Sequence, residues 1–132
     1  INKRVLEEGR ITLKNDGISN VTLKYKSAKN LNTYNSKEFD VVFCDAILMY
    51  VAPNNIDKVL KNIIRISRKS VLLCEQHTND KSFYNDKWVH NYNAIIENIP
   101  GIQVVYFHPI PDSIWGGDWA KYGKIIEIKK YE

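Results

Sequence analysis

The sequence predicts an α/β domain: a mostly parallel sheet with helices on its faces and an antiparallel strand pair at the carboxyl end. Three observations carry this. Two apolar runs, Phe39–Cys44 and Ser70–Glu75, each give way at once to polar residues. Between them Ile56, Val59, Leu60, Ile63 and Ile64 recur at spacings of three and four, the mark of a helix with one apolar face. Near the end, Ile102–Phe107 and Lys124–Lys129 read as strands with no helical pattern between them, so they pair antiparallel.

Each element follows from its residues. Asn2–Asn15 places Val5, Leu6, Ile11 and Leu13 among many charges, an amphipathic helix that Gly17 stops. Val21–Lys26 alternates apolar and polar, as a half-buried or edge strand does. In Phe39–Cys44, four of six residues are aromatic or β-branched, which suits a strand buried on both faces. Pro53 opens the next helix, with Asn54 or Asn55 as its cap and the body at Asn55–Ser67. Ser70–Glu75 is a second buried strand, followed by a polar loop. Trp88, Val89, Tyr92, Ile95 and Ile96 predict a helix over Asp86–Asn98, ended by Pro100-Gly101. Pro109–Tyr122, rich in Pro, Gly and Trp, reads as a long loop.

Composition narrows the function classes. The chain has 132 residues, 44% hydrophobic and 26% charged, which fits one domain over residues 1–132. Its formal net charge of +4 is spread along the chain with no basic run, so no nucleic-acid partner is expected. Two cysteines, Cys44 and Cys74, make no disulfide framework and read as buried free thiols of a reducing compartment. No secretory leader pattern opens the sequence, and no apolar run approaches the ~20 residues a membrane span needs. The expectation is a cytoplasmic protein without membrane contact.

In open α/β sheets, ligands bind beyond the carboxyl ends of the strands. That rule points first to Cys44, Asp45 and Ala46. Asp45 is read either as a ligand-orienting carboxylate or as a solvated helix-capping acid; Cys44 and Ala46 would offer backbone groups. His77, just past the second strand, is a candidate general base, against the alternative of an exposed loop histidine. Glu75 and His77 stand one residue apart, which is not a metal motif, and no metal is expected. Trp115 and Trp119 flank Gly116-Gly117 and read as a substrate wall or as loop packing. Tyr50 is similarly placed after the first of the two buried strands.

Taken together, these stretches resemble the class I S-adenosylmethionine-dependent methyltransferases. Gly17–Leu23 looks like that family's entry into its third strand, and Phe39–Leu48 like its fourth strand and following motif. Ser70–Glu75 looks like the fifth strand, and Ile102–Phe107 with Lys124–Lys129 like the antiparallel pair that closes its sheet. The resemblance implies a Rossmann-like fold and methyl transfer from S-adenosyl-L-methionine to a small-molecule acceptor. It implies a cofactor site of Ser27, Ala28, Cys44, Asp45 and Ala46, and an acceptor site of Tyr50, His77, Trp115 and Trp119. Ser27 stands where the family usually has an Asp that meets adenine; a hydroxyl still hydrogen-bonds an exocyclic amine.

The family's Gly-x-Gly-x-Gly turn, and the acid that takes the ribose hydroxyls, do not occur in this sequence. The expectation is a fold incomplete at its amino end, belonging to a longer chain. The alternative is a non-catalytic remnant of the fold acting as a binding or oligomerising module. Missing neighbour strands would leave open edges, so a homo-oligomer is expected if the chain is complete as given. Sequencing the coding region upstream of Ile1 checks this: it should encode a glycine-rich turn and then an acidic residue directly before Ile1.

Overall fold

A computed structural model describes residues 2–131. The chain divides into two compact units, residues 1–33 and 34–132.

In the first unit, α1 (Lys3–Asn15) starts at Asn2, whose side chain accepts the Arg4 N–H at 3.0 Å. It stops as the sequence predicts. Gly17 takes φ +67°, Ile18 N–H reaches the Leu13 carbonyl at 2.8 Å and Gly17 N–H the Lys14 carbonyl at 3.2 Å. This left-handed cap satisfies the last carbonyls of the helix. Residues 21–27 then run back without a strand assignment, which corrects the strand expected at Val21–Lys26. A strand needs a neighbour for its ladder, and among the described residues none pairs here. The segment is held to α1 instead: Arg10 donates to the Leu23 carbonyl at 3.1 Å. Gly9 permits the approach, since a Cβ there would lie 2.9 Å from Leu23 Cδ1. A 3-10 segment, Ala28–Thr33, ends the unit.

The second unit is built on a four-stranded sheet of β1 (Phe39–Asp45), β2 (Ser67–Gln76), β5 (Ile102–Pro109) and β6 (Gly123–Lys130), in the order β1-β2-β6-β5. β1 and β2 are parallel; β6 is antiparallel to both β2 and β5. Three strands therefore point one way and β6 alone points back, the mostly parallel arrangement the sequence predicts. Between β1 and β2 the chain forms a 3-10 turn, Leu48–Tyr50, and then α2 (Pro53–Ile66). The buried residues of α2 are Ile56, Val59, Leu60, Ile63, Ile64 and Ile66, packed on β1 and β2.

The cap of α2 is not the expected Asn54 or Asn55. Ala52 occupies the cap, with no side-chain bond, and Pro53 fills the first helical position. A proline there loses no hydrogen bond, because the first amides of a helix have no partner inside it. The helix passes straight into β2 at Ser67. Lys130 Nζ closes this corner, donating to the Ile64 and Ser67 carbonyls at 2.7 and 2.6 Å.

Two further expectations are corrected. The apolar run of β1 is buried on one face only. Cys44 faces the core, whereas Val41 is 50% and Phe43 73% exposed. Among the described residues β1 is an edge strand and its Val41 and Phe43 side chains are left open, so apolar composition alone overstated its burial. The helix expected over Asp86–Asn98 shrinks to α3 (Tyr92–Ile96). The residues before it form a hairpin of β3 (Phe83–Asn85) and β4 (Lys87–Val89), turning at Asp86 with φ +60°. Asn91 decides the helix start, its side chain accepting the Ala94 N–H at 3.0 Å. Within Pro109–Tyr122 the structure adds a short α4 (Asp118–Tyr122) to the expected loop.

The contrast between the two sheet faces is measurable. Leu60→Ala, at a fully buried position, should cost about 2–5 kcal/mol in urea unfolding. Phe43→Ala, on the open face, should cost less than about 1 kcal/mol.

Candidate active site

The parallel pairing of β1 and β2 sets the carboxyl ends of both strands side by side, with Cys44 opposite Leu73 and Asp45 opposite Cys74. Asp45 is exposed at this rim. The chain then turns sharply: Ala46 takes φ +52°, a left-handed conformation that costs a residue with a Cβ about 1 kcal/mol. Two bonds hold it there. The Ala46 N–H donates to the Cys74 carbonyl at 2.9 Å, extending the β1–β2 ladder by one residue. Beyond it, the carboxylate of Glu75 accepts three successive amides, Ile47 and Leu48 at 2.8 Å on Oε1 and Met49 at 3.3 Å on Oε2.

Glu75 has no exposed surface. Burial pushes its carboxyl up to about 7, while the three amides pull it back and the Asp45 charge pushes it further up. The neighbouring thiols follow the same logic. Cys44 is pushed up to about 12 by burial and then by the Glu75 charge. Cys74 is pushed up to about 11 by burial, then by the charge of Asp45 and a hydrogen bond to it. Both cysteines are free, and Cys44 is buried as expected, whereas Cys74 is half-buried. As thiols they are poor nucleophiles at neutral pH.

Behind the rim lies a set of aromatic rings. His77 is 6% exposed, which removes the exposed-loop alternative for it. Its Nδ1 accepts the Tyr92 amide at 3.3 Å and its Nε2 stands 3.0 Å from Asn79 Oδ1. The amide fixes Nδ1 as acceptor, so Nε2 carries the proton and donates to Asn79. Burial lowers the His77 pKa. The ring sits 4.5 Å from Phe107 and 6.2 Å from Tyr92, centroid to centroid. His90 is fully buried, its Nε2 2.9 Å from the Val51 carbonyl. Its Nδ1 and the Tyr92 hydroxyl are buried polar atoms without a hydrogen-bond partner. The Tyr92 hydroxyl lies close enough to Glu75 and Cys44 to feel both charges, and burial above all raises its pKa well above the usual phenol value.

The acceptor-side candidates sit on separate elements. Tyr50 is 69% exposed at the end of the 3-10 turn. Trp115 is 40% exposed, and its ring lies 4.8 Å from that of Trp119 on α4. α4 packs on β2 and β6, and the Tyr122 carbonyl accepts the His77 N–H at 2.8 Å. Gly123 is obligatory at this junction, since a Cβ would lie 2.3 Å from the Trp119 carbonyl oxygen. The hairpin joins the same wall through Asn85, which donates to Asp118 at 2.9 Å. Ser27 and Ala28 lie in the first unit. There the Ser27 hydroxyl accepts the Lys29 N–H at 3.3 Å and its carbonyl the Asn30 N–H at 2.9 Å, capping the 3-10 segment. Among the described residues no group of three His, Cys, Asp or Glu converges to hold a metal.

Sequence reasoning weighed Glu75 only as a metal ligand beside His77, took Tyr92 for a core residue, as its burial bears out, and passed over His90. A lone Glu ending an apolar run was the available signal for the first: such a charge enters a core only with dedicated donors.

An α/β sheet with one reversed strand carries this polar rim at the carboxyl ends of its parallel pair, the place where open α/β sheets bind their ligands. The sequence matches the model of the methyltransferase domain family over residues 1–130, and the chain belongs to that family. No curated protein matches the sequence. No helix among the described residues is long and apolar enough to cross a membrane.

The buried carboxyl gives a pH test. A carboxyl whose folded pKa lies above its unfolded value retains a proton that the unfolded chain has lost. Its stabilising share is full below the unfolded value of 4.5 and is lost as pH rises through about 7. The stability of the natural chain relative to Glu75→Gln should therefore fall between pH 5 and pH 8, read from urea midpoints. A difference that stays constant across that range contradicts the assignment.

Proposed function

We propose that the chain transfers the methyl group of S-adenosyl-L-methionine to a small-molecule acceptor. The observation that carries this reading is the rim itself: parallel β1 and β2 ending together at an exposed carboxylate, a left-handed turn and a row of aromatic rings. Family membership supports methyl transfer in general. The named cofactor and the small acceptor rest on the rim's chemistry.

The residues suit such a cofactor. Asp45 offers an exposed carboxylate to an ammonium group, and Ile47 lies exposed two residues on. The unpartnered Tyr92 hydroxyl adds a polar atom to the interior next to Cys44. When bound, the cofactor supplies a methyl on a cationic sulfur, already an excellent leaving group. What remains for the protein is alignment and exclusion of water. In this reading Asp45 holds the amino-acid end of the cofactor, and the backbone of Cys44 and Ala46 borders it. Tyr50, Trp115 and Trp119 surround the acceptor; aromatic faces suit both a planar acceptor and a cation.

His77 is the candidate base, and its hydrogen bonds set the terms. Its free lone pair is already given to the Tyr92 amide, so taking a proton requires giving up that bond. We therefore assign His77 to the acceptor wall. Its buried neutral ring then orients neighbours, and the acceptor is one that needs little help in losing a proton.

A binding or oligomerising module is the second reading. It is favoured by the outer edge of β1, which pairs with no strand among the described residues. Calorimetric titration with S-adenosyl-L-methionine separates the two, on this chain and on any longer polypeptide that contains it. The methyltransferase reading expects saturable binding that Asp45→Ala weakens by about tenfold or more, with the urea midpoint unchanged. Absence of binding in every folded version overturns it in favour of the module.

A further inference from the structure

We propose that Glu75 is the positioning residue of this site: a buried, proton-sensitive latch that shapes the strand-end turn carrying Asp45 and Ala46. The proposal rests on the methyltransferase reading for its function, and on geometry alone for the latch.

The buried side chains of Leu48 and Met49 anchor the far end of the turn, while its near end is open. Asp45, Ile47 and Tyr50 are exposed, and Ala46 is in an unfavourable backbone conformation. A left-handed alanine persists only where its surroundings over-determine it. On one side the Cys74 carbonyl takes the Ala46 amide. On the other, a single carboxylate gathers the next three amides. Those amides belong to residues 28, 27 and 26 positions away in sequence, so the contact locks the turn to β2 and not merely to itself.

The latch depends on charge. An ionised carboxylate offers lone pairs on both oxygens and no proton; a protonated one must spend an oxygen on its own O–H. The surroundings are poised between the two states. Asp45 and Cys44 on β1 and the Tyr92 hydroxyl on α3 disfavour the ionised form, or would if charged themselves. Cys74 adds a thiol beside Glu75 on β2, and Lys124 stands opposite it on β6. The residues that α2 and the 3-10 turn bury are apolar. With the carboxyl pushed up to about 7, protonation falls in the physiological range and would loosen the grip on Ile47 and Leu48. The site would then favour its cofactor above that pH and release it below.

Two measurements test this, and they fail separately. In the first, amide resonances of Ile47, Leu48 and Met49 are followed by NMR without any ligand. They should titrate together with a midpoint near 7, and their exchange protection should drop about tenfold in Glu75→Gln. Amides of the β2–β6 ladder at Leu73 and Ile126 should not change. Flat titrations, or titrations that persist in Glu75→Gln, overturn the latch, since the persisting signal would belong to His77 or His90. In the second, S-adenosyl-L-methionine affinity is measured from pH 6 to pH 8.5. Binding should strengthen with pH in the natural chain and lose that dependence in Glu75→Gln. Adding Glu75→Gln to Asp45→Ala should weaken binding by less than the product of the two single effects, because one residue acts through the other. Full multiplicativity overturns the positioning role. If the natural chain binds no cofactor while the amides titrate as stated, the methyltransferase reading falls and the latch stands.

Discussion

A carboxylate without exposed surface can stay in a protein only if donors surround it, and Glu75 obtains three from one short stretch of backbone. Much of the site follows from that requirement. The stretch from Ile47 to Met49 must approach β2 closely enough to be bound, so the chain has to reverse at Ala46. The reversal exposes Asp45 and Ile47 at the rim and buries Leu48 and Met49 behind it. Leu48 and Met49 in turn close the core beneath the rim, where Val51 receives His90.

The sheet supplies the frame on which this contact can form. α2 presses an unbroken apolar stripe onto β1 and β2, which keeps the two strands parallel and in register. β6 enters antiparallel between β2 and β5, so the buried row Val71, Leu73, Ile126 and Ile128 runs across two strands of opposite sense. The far side of the sheet is treated differently. Val41, Phe43, Leu72, Tyr106 and Ile125 remain exposed there, a larger apolar surface than the core-facing side leaves open.

The rings around His77 show how a titratable cluster becomes structural. His77 is neutral because it is buried, and both of its nitrogens are engaged. Its nearest rings, Phe107 and Tyr92, come from a strand and a helix and lie 15 residues apart in sequence. The polar atoms left over, His90 Nδ1 and the Tyr92 hydroxyl, lie on the same side of the sheet as Glu75. That concentration of polarity under the rim is what distinguishes this end of the sheet from the opposite one, where Lys130 simply closes the α2–β2 corner.

The amino-acid sequence by itself determined the α/β class, the parallel pair, the reversed last strand and the position of the rim. These depend on local periodicity and on polar residues following apolar runs, both of which are written in one dimension. It also determined where α1 stops, because a glycine in the left-handed region acts locally. It misjudged 86–98, where apolar spacing suits a helix but Asn91 caps one only from Tyr92 onward. It misjudged the burial of β1, because burial depends on what lies across the sheet. Only the tertiary structure decided the role of Glu75. A glutamate ending a strand looks like a solvated charge until the amides of a segment some 26 residues earlier fold against it. Such a contact has no sequence spacing of its own, and only the paired strands bring its two halves together.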